Sequence, residues 1–172
     1  MKSDDLEEIY HSFKTGVARW CTSDTPFALS LSGGLDSSAI LSTMNDLGIE
    51  NINTYSLVYP ENADLDESAN AKILSKKYNT NHVEIIYNGS NFRDDFDKMI
   101  YALDEPYAGG IPSWFIYKEM SKDVKVCITG TGGDELFGNY GKAGVFNNKY
   151  LALKRHLGNI LRNGHPYGYL NY

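Results

Sequence analysis

Short apolar runs alternate with helical patterns along most of this chain, and this alternation constrains the fold more than any other feature. The apolar runs predict strands over residues 27–31, 52–59, 82–87 and 124–129. Apolar residues at three- and four-residue steps predict helices over residues 6–20, 36–47, 65–78, 92–103 and 112–120. Strands that alternate with helices of this length form βαβ units. We therefore expect an α/β fold, a doubly wound parallel sheet with helices on both faces.

Composition narrows the class of protein further. The 172 residues include 16 Lys and Arg against 22 Asp and Glu, a formal charge of −6. This length predicts a single domain over residues 1–172. Apolar spacing beyond about residue 146 predicts the start of an incomplete helical extension. The acidic balance disfavours a nucleic-acid partner, and no apolar run approaches the roughly 18 residues of a membrane span. Two cysteines, Cys21 and Cys127, are too few for a disulfide framework, so we expect a reduced, cytoplasmic setting.

A glycine-rich turn between the first predicted strand and the next helix predicts an anion-binding site. It reads Ser32-Gly33-Gly34-Leu35-Asp36-Ser37-Ser38. Glycines let backbone N–H groups approach a ligand, and the start of the helix adds unpaired N–H groups and a positive dipole end. The turn holds no Lys or Arg and matches neither the Walker A nor the GxGxxG pattern, so backbone and serine hydroxyls would hold the anion. Asp36 beside a phosphate is a candidate Mg²⁺ ligand.

A second glycine-rich turn follows the last predicted strand. It reads Thr129-Gly130-Thr131-Gly132-Gly133-Asp134-Glu135. In a doubly wound sheet, ligands bind beyond the carboxyl ends of the strands, so we expect both turns to border one cleft. Asp134 would then face Asp36, and two converging carboxylates stay ionised together when Mg²⁺ lies between them. The pair therefore predicts a metal site.

These residues carry a family resemblance. The turn from Ser32 to Ser38 resembles the pyrophosphate-binding loop of the ATP pyrophosphatases, whose fold is adenine nucleotide α-hydrolase-like. Together with Gly130 to Tyr140, it is similar to the synthetase domain of glutamine-dependent asparagine synthetases. Residues 104–106 and 110–113 also resemble that domain. The resemblance covers about residues 25–145, which it implies are the core of the domain.

The resemblance implies an enzyme that uses ATP and Mg²⁺ to adenylate a small-molecule acceptor, aspartate or an analogue. Pyrophosphate is released, and ammonia then displaces AMP to form an amide. The implied ATP and pyrophosphate ligands are Ser30, Ser32, Gly33, Gly34, Asp36, Ser37, Ser38, Leu57, Thr129 and Gly130. Of these, the resemblance assigns Ser30, Leu57, Thr129 and Gly130 to the adenosine pocket. The implied metal ligands are Asp36 and Asp134, and with Glu135 these are the candidate catalytic residues.

One departure from the family pattern concerns the nitrogen nucleophile. The family has an acidic residue where this chain has Thr131, and threonine cannot deprotonate an ammonium ion. Either the acceptor chemistry differs, or Glu135 or Asp104 substitutes for the missing acid. The leading alternative is therefore an amidotransferase-like ligase that acts on another acceptor, such as a sugar.

Two further departures concern parts of the family's enzymes outside this domain. Their glutaminase domain begins with a catalytic cysteine, whereas this chain begins Met1-Lys2, so a separate glutaminase chain is a possible partner. Their essential lysine lies downstream of the second turn, and Lys142 does not match its context. A truncated nucleotide-binding chain without activity of its own is the second alternative.

Overall fold

The computed structural model describes residues 3–62, 66–87, 89–90, 92–104 and 110–137. In chain order its elements are α1 (Ser3–Trp20), β1 (Phe27–Ser30), α2 (Leu35–Asp46), β2 (Asn53–Val58), α3 (Ser68–Lys77), β3 (Asn81–Ile86), α4 (Phe92–Leu103), α5 (Ile111–Met120), β4 (Val126–Ile128) and α6 (Gly133–Phe137). Among these helices, none is long and apolar enough to cross a membrane.

The four described strands form one parallel sheet in the order β3-β2-β1-β4. Ala28 of β1 pairs with Asn53 of β2 on one side and with Cys127 of β4 on the other. The predicted α/β fold with a parallel sheet is confirmed. Because β1 and β4 are parallel neighbours, their carboxyl ends lie at the same edge of the sheet, and the two glycine-rich turns begin there.

Side chains alternate along β1, so they belong to two separate hydrophobic cores, one on each face of the sheet. Leu29 is fully buried with Leu41 and Met44 of α2, and α1 and α3 pack on the same face of the sheet. Ala28 is fully buried on the opposite face, against α5. Helices therefore cover both faces, as the continuous apolar character of the strands predicts.

Most predicted elements match the structure to within a few residues. The helix predicted over 65–78 begins later, at Ser68. Asp66 explains this start, because its Oδ1 accepts a hydrogen bond from the Ser68 N–H at 2.9 Å and fixes the turn before the helix. Hydrogen bonding from the Ser68 side chain, and then from its N–H, lowers the pKa of Asp66. The helical extension predicted from about residue 146 lies outside the described residues.

The chain divides into two compact units, residues 1–130 and residues 131–172. The first unit contains the whole described sheet and helices α1 to α5. The second is described over residues 131–137, which contain α6. The single domain over residues 1–172 stays a prediction.

Candidate functional site

The turn after β1 lies at the carboxyl edge of the sheet, where topology predicts a ligand site. The Leu31 N–H donates to the Tyr55 carbonyl at 2.7 Å, so pairing with β2 extends one residue past β1. The chain then turns at Gly33, whose φ is +89°. Gly34 is extended, and α2 begins at Leu35. The backbone N–H groups of the first turn of α2 are thus free of helical partners at this edge.

The first turn of α3 forms a wall behind Gly33. A Cβ built on Gly33 would lie 2.8 Å from the Ala71 nitrogen, 2.8 Å from Asn70 Cβ and 2.9 Å from the Glu67 carbonyl oxygen. Any side chain at this position would collide with backbone atoms. The glycine is therefore required by φ and by space together.

Serine hydroxyls brace the turn from inside. The Ser32 and Ser37 Oγ atoms lie 3.1 Å apart, and the Gly34 N–H donates to Ser32 Oγ at 3.2 Å. Ser37 and Ser38 both donate to the Gly34 carbonyl, at 3.3 and 2.5 Å. The structure thus brings the three predicted serines together around one peptide. An arriving anion would compete with the hydrogen bond between Ser32 and Ser37.

Gly130, two residues after β4, lies against the start of α2. A Cβ built on Gly130 would lie 2.9 Å from Asp36 Cβ and 3.0 Å from the Ser37 nitrogen. The start of the second predicted turn therefore touches the first, as expected from the order β1-β4 in the sheet. Thr129 and Gly130 are half-buried there, and so is Asp36.

Ser30 and Leu57 lie on the sheet face that carries α5. Their neighbours two residues earlier, Ala28 and Tyr55, belong to the core on that face, and side chains alternate along a strand. Both residues are half-buried near the carboxyl ends of their strands. They are therefore placed at the same edge as the turn after β1, which is where the resemblance puts an adenosine pocket.

The donor set of the turn fits Mg²⁺. It combines the half-buried Asp36 carboxylate with serine hydroxyls, which are the hard oxygen ligands this ion prefers. Among the described residues, no three or more His, Cys, Asp or Glu side chains cluster as a metal cage.

Comparison with known proteins decides the family. A family model described as Asparagine synthase matches residues 8–165 of this chain. The chain belongs to the asparagine synthase family. The match includes the turn after β1 and the second turn after β4, so the family resemblance of the sequence is confirmed.

Curated relatives of the asparagine synthase family are similar to this chain at about 30% identity. Putative asparagine synthetase (glutamine-hydrolyzing) 2 of Methanocaldococcus jannaschii is 32% identical over 121 residues, 69% of this chain and 23% of the relative. Asparagine synthetase (glutamine-hydrolyzing) 1 of Bacillus subtilis is 32% identical over 137 residues, which are 78% of this chain and 21% of the relative. The maize asparagine synthetase (glutamine-hydrolyzing) is 26% identical over 142 residues, which are 74% of this chain and 24% of the relative. The chain spans less than a quarter of the length of these relatives.

The second turn of this asparagine synthase family member continues into the other unit. There, Gly132 has a φ of +101° and its carbonyl accepts the Leu136 N–H at 3.1 Å, which closes the first turn of α6. Asp134 is half-buried in that helix, whereas Glu135 and Thr131 are exposed. The pairing of Asp134 with Asp36 around a metal stays a prediction. Residues 105–106, 138–140 and Lys142 lie outside the described residues.

Two features at the carboxyl edge were not found from the sequence. Glu67 places its Oε2 3.8 Å from a Cβ built on Gly34, at the rim of the turn. An aromatic cluster of Tyr59, Tyr87 and Phe115 joins the ends of β2 and β3 to α5, with ring centroids 5.7 and 4.5 Å apart. Tyr59 directly follows β2, Tyr87 directly follows β3, and Glu67 directly precedes α3. That placement is the signal that the sequence offers for them, and it is weaker than a glycine-rich turn.

A cavity of about 320 Å³ lies at the opposite edge of the sheet. Residues 23–27 and 49–53 line it, and these precede or begin β1 and β2. It is therefore at the amino ends of the strands, away from every predicted site residue.

Proposed function

We propose that this chain binds ATP with Mg²⁺ in the turn between β1 and α2 and uses it to activate a carboxylate for amide formation. The observation that carries the proposal is the enclosure of that turn: α3 closes it behind Gly33, and Gly130 closes it at Asp36. Membership of the asparagine synthase family supports the reaction class. The acceptor we propose first is aspartate, because the names of the relatives specify asparagine synthesis.

In the proposed reaction, a carboxylate oxygen of the acceptor attacks the α-phosphorus of ATP, and the bond from that phosphorus to the pyrophosphate oxygen breaks. Ammonia nitrogen then attacks the acyl carbon, AMP leaves with the electron pair of the acyl–oxygen bond, and nitrogen loses a proton. Mg²⁺, when bound, supplies neutralisation of charge on the phosphate oxygens. The chain's own part is to hold the leaving pyrophosphate with backbone N–H groups of the turn and the hydroxyls of Ser32 and Ser37.

We propose Asp36 as a magnesium ligand, and Asp134 as a second ligand from its place in the second turn. We propose Glu135 as a candidate catalytic residue, also from its place in the second turn. Ser30, Leu57, Thr129 and Gly130 are the proposed adenosine contacts. The position of Gly130 against Asp36 supports this assignment, because a proposed adenosine contact and a proposed magnesium ligand are then neighbours.

We propose that nitrogen reaches this chain as ammonia, free or released by a separate glutamine-hydrolysing chain. Both cysteines of the chain support this. Burial raises the pKa of the Cys21 thiol at the end of α1, and burial likewise raises that of Cys127 in β4. A glutaminase nucleophile needs the opposite, an accessible thiol of lowered pKa.

The test is exchange of labelled pyrophosphate into ATP. We expect exchange that requires both Mg²⁺ and aspartate, since adenylation is reversible until ammonia arrives. A thermal melt with Mg-ATP is the binding control, and at 100 times Kd a ligand stabilises the native state by about 2.7 kcal/mol. Absence of any shift at saturating Mg-ATP would contradict the proposal at its first step.

A second candidate, a ligase for another acceptor, is favoured by Thr131. This residue stands where the family pattern has an acid that serves the amine. The same exchange assay with a panel of carboxylates separates the two candidates. A chain that Mg-ATP stabilises in the thermal melt, and that exchanges pyrophosphate with another acid but not with aspartate, favours the second candidate.

A further inference from the structure

A carboxylate without a described partner lies at the rim of the turn between β1 and α2. Glu67 precedes α3, and its Oε2 is 3.8 Å from a Cβ built on Gly34. The side chain is exposed, and the ion pairs of the described residues do not include it. Its carbonyl, in contrast, is engaged by the Asn70 and Ala71 N–H groups. The backbone of Glu67 is thus fixed while its charge remains unpaired in this part of the structure.

The turn between β1 and α2 supplies no positive side chain that could compensate the charge of Glu67. Residues 32–38 contain neither Lys nor Arg. The neighbouring Asp66 carboxylate is already engaged by the Ser68 N–H. A bare polyphosphate that enters the turn therefore meets an unpaired negative charge at its rim. A repulsion of this kind falls with distance and with salt, and it grows with the charge of the incoming anion.

We propose that Glu67 makes this turn selective for metal-bound nucleotide over metal-free nucleotide. The inference rests on the proposed function, because it assigns a role within the same nucleotide site. A divalent cation cancels part of the charge of the nucleotide, so the repulsion from Glu67 falls mainly on the metal-free form. Glu67 acts through charge and touches no reacting atom, which makes it a specificity-determining residue and not a catalytic one.

The experiment compares Glu67→Gln with the parent chain, because glutamine keeps the size of the side chain and removes its charge. Affinity for ATP is measured with Mg²⁺ and with a chelator, at low and at high ionic strength. We expect Glu67→Gln to bind metal-free ATP about 3- to 10-fold more tightly than the parent at low salt, with less than about a 2-fold change for Mg-ATP. The difference shrinks at high salt. Glu50→Gln, an exposed glutamate at the amino edge of the sheet, is the matched control and changes neither affinity.

Every result decides the proposal. An unchanged ratio of metal-free to Mg-ATP affinity in Glu67→Gln overturns it, and so does a tenfold loss of Mg-ATP affinity, which would make Glu67 a metal ligand. Either of these leaves the proposed function intact, provided that the parent binds Mg-ATP. A parent chain that binds neither form removes both the proposed function and this inference. Thermal melts of the three proteins without nucleotide establish that the fold is equal.

Discussion

Gly33 is the residue on which the geometry of the turn depends most. We expect Gly33→Ala to lose most of the thermal stabilisation by Mg-ATP, because alanine is strained at a φ of +89° and its Cβ would collide with the backbone of α3. The matched control is Gly48→Ala after α2. Gly48 has a φ of +72° but nothing within 4 Å of a built Cβ, so this variant carries the strain without the collision. Equal nucleotide responses in the two variants would contradict the role of the α3 wall.

Asp36 carries the second prediction at the scale of a residue. It is half-buried in the first turn of α2, beside Gly130. We expect Asp36→Asn to reduce Mg-dependent ATP affinity at least about tenfold and to leave the melting temperature without nucleotide nearly unchanged, since the amide fits the same space but is a poor Mg²⁺ ligand. Titration of ATP with and without Mg²⁺ measures this. Asp24→Asn, at the amino edge, is the control, and an Asp36→Asn protein that binds like the parent would exclude the metal role.

His82 gives the fold a pH dependence. In β3, the His82 Nδ1 lies 2.9 Å from Thr54 Oγ1 and its Nε2 lies 3.2 Å from Ser56 Oγ. Burial lowers the pKa of His82. The charge of Glu84 opposes this shift, and the charge of Lys72 lowers the pKa further. The unfolded chain therefore takes up the proton first, and the free energy of unfolding falls as the pH drops below about 6.5.

The measurement for His82 is urea unfolding of the parent and of His82→Gln between about pH 7.5 and about pH 5.5. We expect the parent to lose more stability over this interval than the variant. His11→Gln, on an exposed part of α1, is the control and retains the parental slope. A parental slope in His82→Gln would assign the pH dependence to other groups.

At the scale of elements, α4 and α5 are joined by an ion pair that is buried at one end. Asp95 is 2% exposed, and its Oδ1 accepts a hydrogen bond from Lys118 Nζ at 2.6 Å. We expect Lys118→Met to destabilise the fold by about 2 to 3 kcal/mol, because it leaves a buried carboxylate unpaired; the exposure of Lys118 keeps the value at the lower end of such losses. Chemical denaturation measures the loss.

A nearby surface pair supplies the control for Lys118. Lys122 and Glu119 form an exposed ion pair three residues apart, so Lys122→Met is expected to cost less than about 0.5 kcal/mol. The double variant Asp95→Leu with Lys118→Met is expected to recover much of the loss, since no buried charge remains. Equal effects of Lys118→Met and Lys122→Met would mean that water compensates Asp95 fully.

The elements themselves were largely predictable from the sequence, because their apolar periods are long and local. The helix over Phe92–Leu103 matches its prediction at both ends. What the sequence did not show are contacts between distant segments: the approach of α3 to Gly33, the Glu67 carboxylate beside Gly34, and the ion pair of Asp95. Such contacts depend on the angles at which helices cross the sheet, which no periodic pattern encodes. The turn after β1 was predictable as a motif, but its walls were not.

At the scale of the whole molecule, the strand order has a consequence for how fast the chain folds. Ala28 pairs with Asn53, a nearby residue, and also with Cys127, about 100 residues away. Closing the longer loop costs more entropy, so we expect β1 and β2 to associate before β4 joins. Two matched substitutions in one core test this order: Ile52→Val, just before β2, should mainly slow refolding, whereas Ile128→Val in β4 should mainly accelerate unfolding.

Because β4 carries Gly130 to the start of α2, late addition of β4 would make the nucleotide site the last part of the sheet to form. A newly made chain would then be compact before it is competent to bind. A stopped-flow refolding experiment in which Mg-ATP binding lags behind the burial of Leu29 and its core would show this delay directly, and simultaneous recovery of binding and burial would contradict it.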